Sequence, residues 1–337
     1  MGKKGVLLVN LGTPDSPQVK DVKRYLDQFL MDERVIDIPK FNRTLLVKGI
    51  IVPFRGPKTA ATYKEIWEPN GSPLMYYSEI QARQLQAKLG EEYVVELAMR
   101  YQNPSIPAAL NRLKAAQVDS IKVIPLFPQY ASATSGSVMQ AVMEVVSKWQ
   151  TIPNIAFVNN FHDHAGMIDI FAENALKHQP ETFDHVIFSF HGLPERQLIK
   201  ADDSKSHCLK LGECCEVYSE KNKFCYAAQS HHTARLIAEK LNIPKDKYTI
   251  CFQSRLGKEP WVQPYTSDVL KKLAHEGKKR LLVFSPAFVA DCIETVHEIS
   301  VEYLEEFQQD GGEHVQLVES LNDHPKFIEV LEELVHQ

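Results

Sequence analysis

The stretch Val186-Ile-Phe-Ser-Phe-His191-Gly-Leu-Pro194 decides the fold when it is set beside Val6-Leu-Leu-Val-Asn-Leu11-Gly-Thr-Pro14. Each is a mostly apolar run closed by Gly-x-Pro. Such a run marks a strand covered on both faces, with the turn residues ending it. Two further pairs follow in the same order. Tyr93–Arg100 parallels Tyr248–Arg255, and Ile121–Phe127 parallels Leu281–Phe288. Three ordered matches imply a duplicated half. In the first pair a histidine, His191, stands where the first half has Leu11, so the second half carries the titratable group.

Working outward, the pattern predicts strands at Val6–Asn10, Tyr93–Met99, Ser120–Pro125 and Ile155–Asn159, then at His185–Phe190, Tyr248–Phe252, Arg280–Phe284 and Val315–Val318. Amphipathic helical stretches separate them, among them Ser78–Leu89, Ser137–Lys148 and Ile293–Gln308. Strand–helix alternation predicts an α/β chain of two doubly wound domains, each with a four-stranded parallel sheet flanked by helices. The expected boundaries are 1–160 for the first, 161–322 for the second with a Cys-rich insertion at about 203–226, and a C-terminal helix at 323–337. In such folds ligands sit beyond the carboxyl ends of the strands, where His191, Arg100, Tyr130, Arg255 and Asp291 fall. A large ligand is expected in a cleft between the two domains.

The 337 residues carry 38 basic and 43 acidic side chains, a net charge of −5, with 44% hydrophobic residues. This near balance, with no long basic run, argues against a nucleic-acid partner. No stretch reaches the roughly 20 apolar residues that span a bilayer, and the first residues meet Gly and Pro too early for a signal-peptide core. The expected location is cytoplasmic. Leu45–Phe54 reads either as an amphipathic core helix or as an apolar lip for a hydrophobic ligand or membrane surface.

Three patterns carry chemistry. His191 directly follows its strand, and an imidazole exchanges protons near neutrality or ligates a metal. Glu294, Glu298 and Glu302 recur every four residues, which lines three carboxylates along one helix face. Ile293, Val296 and Ile299 leave that face little room to be a solvated one, and a column of oxygen ligands suits a divalent cation. Four of the six cysteines, Cys208, Cys214, Cys215 and Cys225, are crowded together, while Cys251 and Cys292 stand alone. Four thiolates fit zinc or an iron–sulfur cluster, though the paired knuckles of common zinc sites are missing. Disulfides are disfavoured because nothing signals export. Gln129–Gly136 offers hydroxyls and backbone amides where a strand hands over to a helix, a place that attracts carboxylates, and Gln253–Tyr265 sets a cation beside a large aromatic; each reads as a ligand contact or as an ordinary capped turn.

In the combination of these motifs the chain resembles the ferrochelatase family along nearly its whole length. The likeness rests on Phe188-Ser-Phe-His191-Gly-Leu-Pro194, Gln253-Ser-Arg-x-Gly-x-Glu-Pro-Trp261, Phe288-x2-Asp291-Cys-Ile-Glu294-Thr and Pro128-Gln-Tyr-x-Ser-x-Thr-Ser-Gly136. It implies two Rossmann-like domains of chelatase type, and a lyase-class metal chelatase inserting Fe2+ into protoporphyrin IX in haem biosynthesis. Coproporphyrin, or cobalt or nickel insertion into another tetrapyrrole, is the alternative. By resemblance His191 and Glu294 are catalytic, and His191, Glu294, Glu298 and Glu302 contact the metal. Arg55, Tyr63, Arg100, Tyr130, Ser132, Thr134 and Trp261 contact the porphyrin. Cys208, Cys214, Cys215 and Cys225 hold a [2Fe-2S] cluster. Residues 45–54 form a mobile lip that touches the membrane peripherally. Leu11 falls where some relatives carry a tyrosine or methionine near the macrocycle, so no metal ligand is expected there.

Overall fold

The computed structural model describes residues 2–210, 212–255, 257 and 259–337. It contains two four-stranded sheets, each all parallel. The first comprises β1 (Lys4–Gly12), β2 (Tyr93–Tyr101), β3 (Ser120–Pro125) and β4 (Asn154–Phe157), in the order β2-β1-β3-β4. The second comprises β5 (His185–His191), β6 (Tyr248–Gln253), β7 (Arg280–Phe284) and β8 (His314–Leu317), in the order β6-β5-β7-β8. The identical strand orders are the structural form of the sequence duplication: β1 corresponds to β5, β2 to β6 and β3 to β7. Val6 aligns with Val95 and Lys122 in one sheet, and Val186 aligns with Tyr248 and Leu282 in the other.

Two compact units divide the chain. One comprises Met1–Phe127, Ala131–Asn160 and Ile328–Gln337, and the other comprises Pro128–Tyr130 and Phe161–Phe327. In the first, Val6, Leu7, Leu8 and Val9 are all fully buried, as expected of a central strand with helices on both faces. Leu7 and Val9 join Leu110, Leu113, Val138 and Val142, from the helices Ile106–Ala115 and Ser137–Val146, in one core. In the second, Phe188 stacks on Phe284 with centroids 4.8 Å apart, and Phe190 and Phe252 are also sealed from solvent. Each such ring contributes about 1.5–3 kcal/mol by leaving water.

Gly12 closes β1 at φ +119°, and a Cβ there would lie 2.1 Å from the carbonyl oxygen of Tyr101 on the paired strand. Only glycine fits this close approach. The helix expected from Ser78 instead starts at Pro73. Ser72 caps it by accepting from the Met75 N–H, and proline at the first helical position lacks a hydrogen that would have no partner. Ser78 is buried inside the helix and accepts from Asn10 Nδ2 at 3.0 Å.

Among the described residues, three segments wind as π-helices: Leu45–Ile51, Ser132–Gly136 and Ile293–Tyr303. All three lie in stretches that the sequence marks for ligand chemistry, and widened helical turns are frequent at functional sites. No described helix is long and apolar enough to cross a membrane.

Candidate active site

The second unit gathers His191, Glu294, Glu298 and Glu302. His191 is the last residue of β5 and is half-buried. Its Nδ1 lies 2.8 Å from the Gly192 carbonyl oxygen. A carbonyl only accepts, so Nδ1 carries the hydrogen and Nε2 is the basic nitrogen. Tyr226 Oη donates to the His191 carbonyl at 2.8 Å, which fixes the backbone under the ring. Gly192 follows because its N–H reaches the Gln253 carbonyl at 2.8 Å, while a Cβ would strike that oxygen at 2.8 Å and the Trp261 ring at 3.1 Å.

The acidic residues lie on the helix Ile293–Tyr303. Its start is set by Asp291, whose Oδ1 accepts from Thr295 Oγ1 at 2.9 Å and whose Oδ2 accepts from Asn322 Nδ2 at 2.6 Å. Thr295 Oγ1 in turn accepts from the Cys292 N–H at 3.0 Å. Asp291 is therefore a buried cap organiser that orients the turn bearing Glu294. The wider i→i+5 winding keeps residues four apart on nearly one face.

The three glutamates differ in surroundings. Burial pushes the Glu294 carboxyl above its ordinary range, opposed by the Cys292 side chain and by His191 nearby. Glu298 is held by three donors: Gln253 Nε2 at 3.0 Å, Ser254 Oγ at 2.7 Å and Tyr303 Oη at 2.9 Å. Ser254 adopts φ +64°, an unfavourable left-handed conformation for a residue with a side chain, and from it the hydroxyl reaches Glu298. Glu302 is exposed, and its Oε1 lies 3.7 Å from His297 Nδ1. The row thus runs from a solvent-facing carboxylate, through a hydrogen-bonded one, to a desolvated one within electrostatic reach of His191. Gln253 and Ser254 belong to a motif visible in the sequence, but Tyr303 carried no sequence signal.

The expected porphyrin contacts divide between the units. In the second unit, Tyr130 donates its N–H to Gln229 Oε1 at 2.6 Å, and Trp261 bridges to Pro194. In the first, Arg55 is exposed, and Tyr63 is buried edge-on against Tyr25 and Trp67. Ser132 Oγ accepts from Arg34 Nη1 at 2.8 Å, and Thr134 Oγ1 donates to the Ala131 carbonyl at 3.4 Å. Arg100 is already engaged: it reaches Asp32 Oδ2 and Ser137 Oγ at 2.6 Å each and lies over the Tyr101 ring. Its guanidinium holds the loop carrying Asp32.

The four clustered cysteines converge. Cys225 is the residue that precedes the helix Tyr226–Lys240, beside the Cys208 and Cys215 thiols. Pairing with those two thiols, outweighing burial, brings Cys225 down to about 3, whereas Cys208 and Cys215 are pushed up by the same pairing and by burial. Cys214 Sγ lies 3.8 Å from Cys215 Sγ. A set of four sulfur donors with one thiolate at a helix N-terminus suits a metal or an iron–sulfur group.

The family model described as Ferrochelatase matches residues 3–337. A protein named Ferrochelatase from Legionella pneumophila (strain Lens) is 41% identical over 336 residues, covering 99% of each chain. Another so named, from Coxiella burnetii, is 42% identical over 329 residues, covering 98% of this chain and 92% of its own. Among solved structures, SirB from Bacillus subtilis with Fe3+ superposes with a TM-score of 0.52 at 12% identity, covering 99% of this chain and 94% of its own. At that identity the likeness concerns the fold alone.

Proposed function

The chain belongs to the ferrochelatase family and inserts ferrous iron into a porphyrin in haem biosynthesis, and we propose that this porphyrin is protoporphyrin IX, with His191 and Glu294 as the catalytic pair. The observation that carries the assignment is the pairing of a histidine whose basic Nε2 is defined by its own hydrogen bond with a desolvated glutamate.

Metallation removes two pyrrole N–H protons as one Fe2+ enters. His191 Nε2 accepts a proton from the macrocycle, and the raised affinity of Glu294 for protons suits it to take one in turn. Glu298 and Glu302 meet the incoming cation and replace part of its water shell with carboxylate oxygens. Glu302 is exposed whereas Glu298 and Glu294 are half-buried, which supports that direction of travel. Arg55, Tyr63, Tyr130, Ser132, Thr134 and Trp261 are assigned to the porphyrin, with Arg100 supporting the Asp32 loop.

Cys208, Cys214, Cys215 and Cys225 would hold a [2Fe-2S] cluster, a group with one-electron chemistry that iron insertion does not use. The helical segment around Leu45–Phe54 buries Val47 and Ile51 against Leu30 but leaves Phe41 74%, Leu45 57%, Ile50 57% and Phe54 77% exposed. These side chains favour peripheral contact with a membrane surface, a reading checked by flotation with lipid vesicles.

The deciding experiment is anaerobic turnover with Fe2+ and either protoporphyrin IX or coproporphyrin III. Faster metallation of protoporphyrin supports the proposed substrate, and preference for coproporphyrin overturns it. Near-normal turnover by His191→Ala removes His191 from the chemistry.

A further inference from the structure

We propose that His162, Asp163 and His232 form a binding site for a first-row divalent metal ion of the zinc or cobalt type, separate from the glutamate row. His162 and Asp163 lie just after β4, and His232 lies on the helix Tyr226–Lys240. His162 Nε2 and His232 Nδ1 are 3.1 Å apart, and one donor atom from each of the three residues lies within 4.8 Å of the others. A tetrahedral ion with bonds of about 2.0–2.1 Å places its ligand nitrogens roughly 3.3 Å apart, so the two rings already hold the required spacing.

The scaffold keeps them there. Thr233 Oγ1, beside His232, donates to the His162 carbonyl at 2.7 Å and ties the loop to the helix. Tyr218, from the cysteine-bearing segment, stacks on the His232 ring with centroids 4.5 Å apart and packs against the His162 ring at 5.0 Å. His162 is almost fully buried while the Asp163 side chain is half exposed. The carboxylate therefore lies at the rim, where it can turn inward, and water completes the coordination. Burial also keeps both imidazoles neutral, the form that ligates.

Two nitrogens and one oxygen suit zinc, cobalt or nickel rather than the all-oxygen shells of calcium or magnesium. An ion here would join the loop after β4, the helix that begins at Cys225, and the segment beneath Tyr218. The ordinary alternative is a hydrogen bond shared by two rings, with no ion.

The test compares metal-stripped wild type, His232→Ala and Asp163→Asn, titrated with Zn2+ by calorimetry and with Co2+ by visible spectroscopy. The wild type is expected to take up one equivalent more than His232→Ala, and Asp163→Asn to bind that equivalent at least about tenfold more weakly. The Co2+ bands lost in His232→Ala should lack a thiolate charge-transfer component, and the iron-insertion rate of that variant should be unchanged. Equal stoichiometry in wild type and His232→Ala overturns the site, as does a lost Co2+ band of thiolate character. Should His232→Ala misfold, Asp163→Asn decides alone, because its side chain is at the surface: unaltered affinity overturns the proposal.

Discussion

Gln253 Nε2 donates to the carboxylate of Glu298 at 3.0 Å, and the same nitrogen reaches the main-chain carbonyl of Glu294 at 2.9 Å. The last residue of β6 thereby pins the acidic helix at two points. The amide cannot rotate freely, because Gln253 Oε1 accepts from Ser189 Oγ at 2.7 Å and lies 3.4 Å from Ser285 Oγ. Gln253→Leu removes the donor and leaves two buried hydroxyls without that acceptor. The expected cost is about 1–3 kcal/mol of stability. On the proposed role of Glu298 as a contact for the incoming cation, its displacement is expected to raise the KM for Fe2+ about tenfold with a smaller change in kcat. Steady-state kinetics against iron concentration check the split.

With His191 and Glu294 as the proposed proton-transfer groups, His191→Ala and Glu294→Gln are each expected to lower kcat by about 10²–10⁴-fold. Circular dichroism should be unchanged, since neither side chain belongs to the aromatic core.

Glu294→Gln has a second expected effect, of opposite sign. Burial raises this carboxyl above its unfolded value of 4.5, so ionising it costs folding energy at pH 7. The variant should therefore melt at a higher temperature than wild type at neutral pH. The difference should vanish as pH falls below about 4, where the carboxyl is protonated folded or unfolded. Urea denaturation at several pH values measures it. A less stable variant at pH 7 would contradict the burial argument.

Asp32 behaves conversely. Burial raises its pKa, but bonds from Ser137, the Arg34 N–H and Tyr101, together with the Arg100 charge, outweigh that and hold the carboxyl below its ordinary value of 3.8. Its contribution is complete above pH 3.8 and is lost as pH falls through the lower folded value. Asp32→Asn should cost about 2–3 kcal/mol at pH 7, a moderate figure because Arg100 is a quarter exposed. The gap from wild type should close in strong acid.

For the cysteines, chain purified without oxygen should show visible absorption with about two iron and two sulfide per chain. Cys225→Ser should lose both. Zinc without sulfide would instead assign the four thiols to a zinc site.

The strands were legible because a central parallel strand covered on both faces must be largely apolar, and short runs of that kind, with polar residues admitted toward the edges, stand between turn residues. The glutamate row was legible from its spacing alone. Less visible was everything that depends on residues far apart in the chain. Arg100 sits at a strand end like a ligand contact, but Asp32 and Ser137 occupy its guanidinium. Ser78 looked like a helix start, but the cap at Ser72 and a buried partner, Asn10, place it inside the helix. His162 and His232 carry no motif that links them.

The amino-acid sequence by itself determined the two related α/β halves, the position of His191 beyond its strand and the alignment of Glu294, Glu298 and Glu302. These follow from hydrophobic period and local turn chemistry, which neighbouring residues specify. Only the tertiary structure decided which nitrogen of His191 is basic, which glutamate is desolvated, which is triply hydrogen-bonded and which faces water. Those properties depend on distances of about 3 Å between groups that the chain brings together only on folding, and on how much water the packing leaves around each.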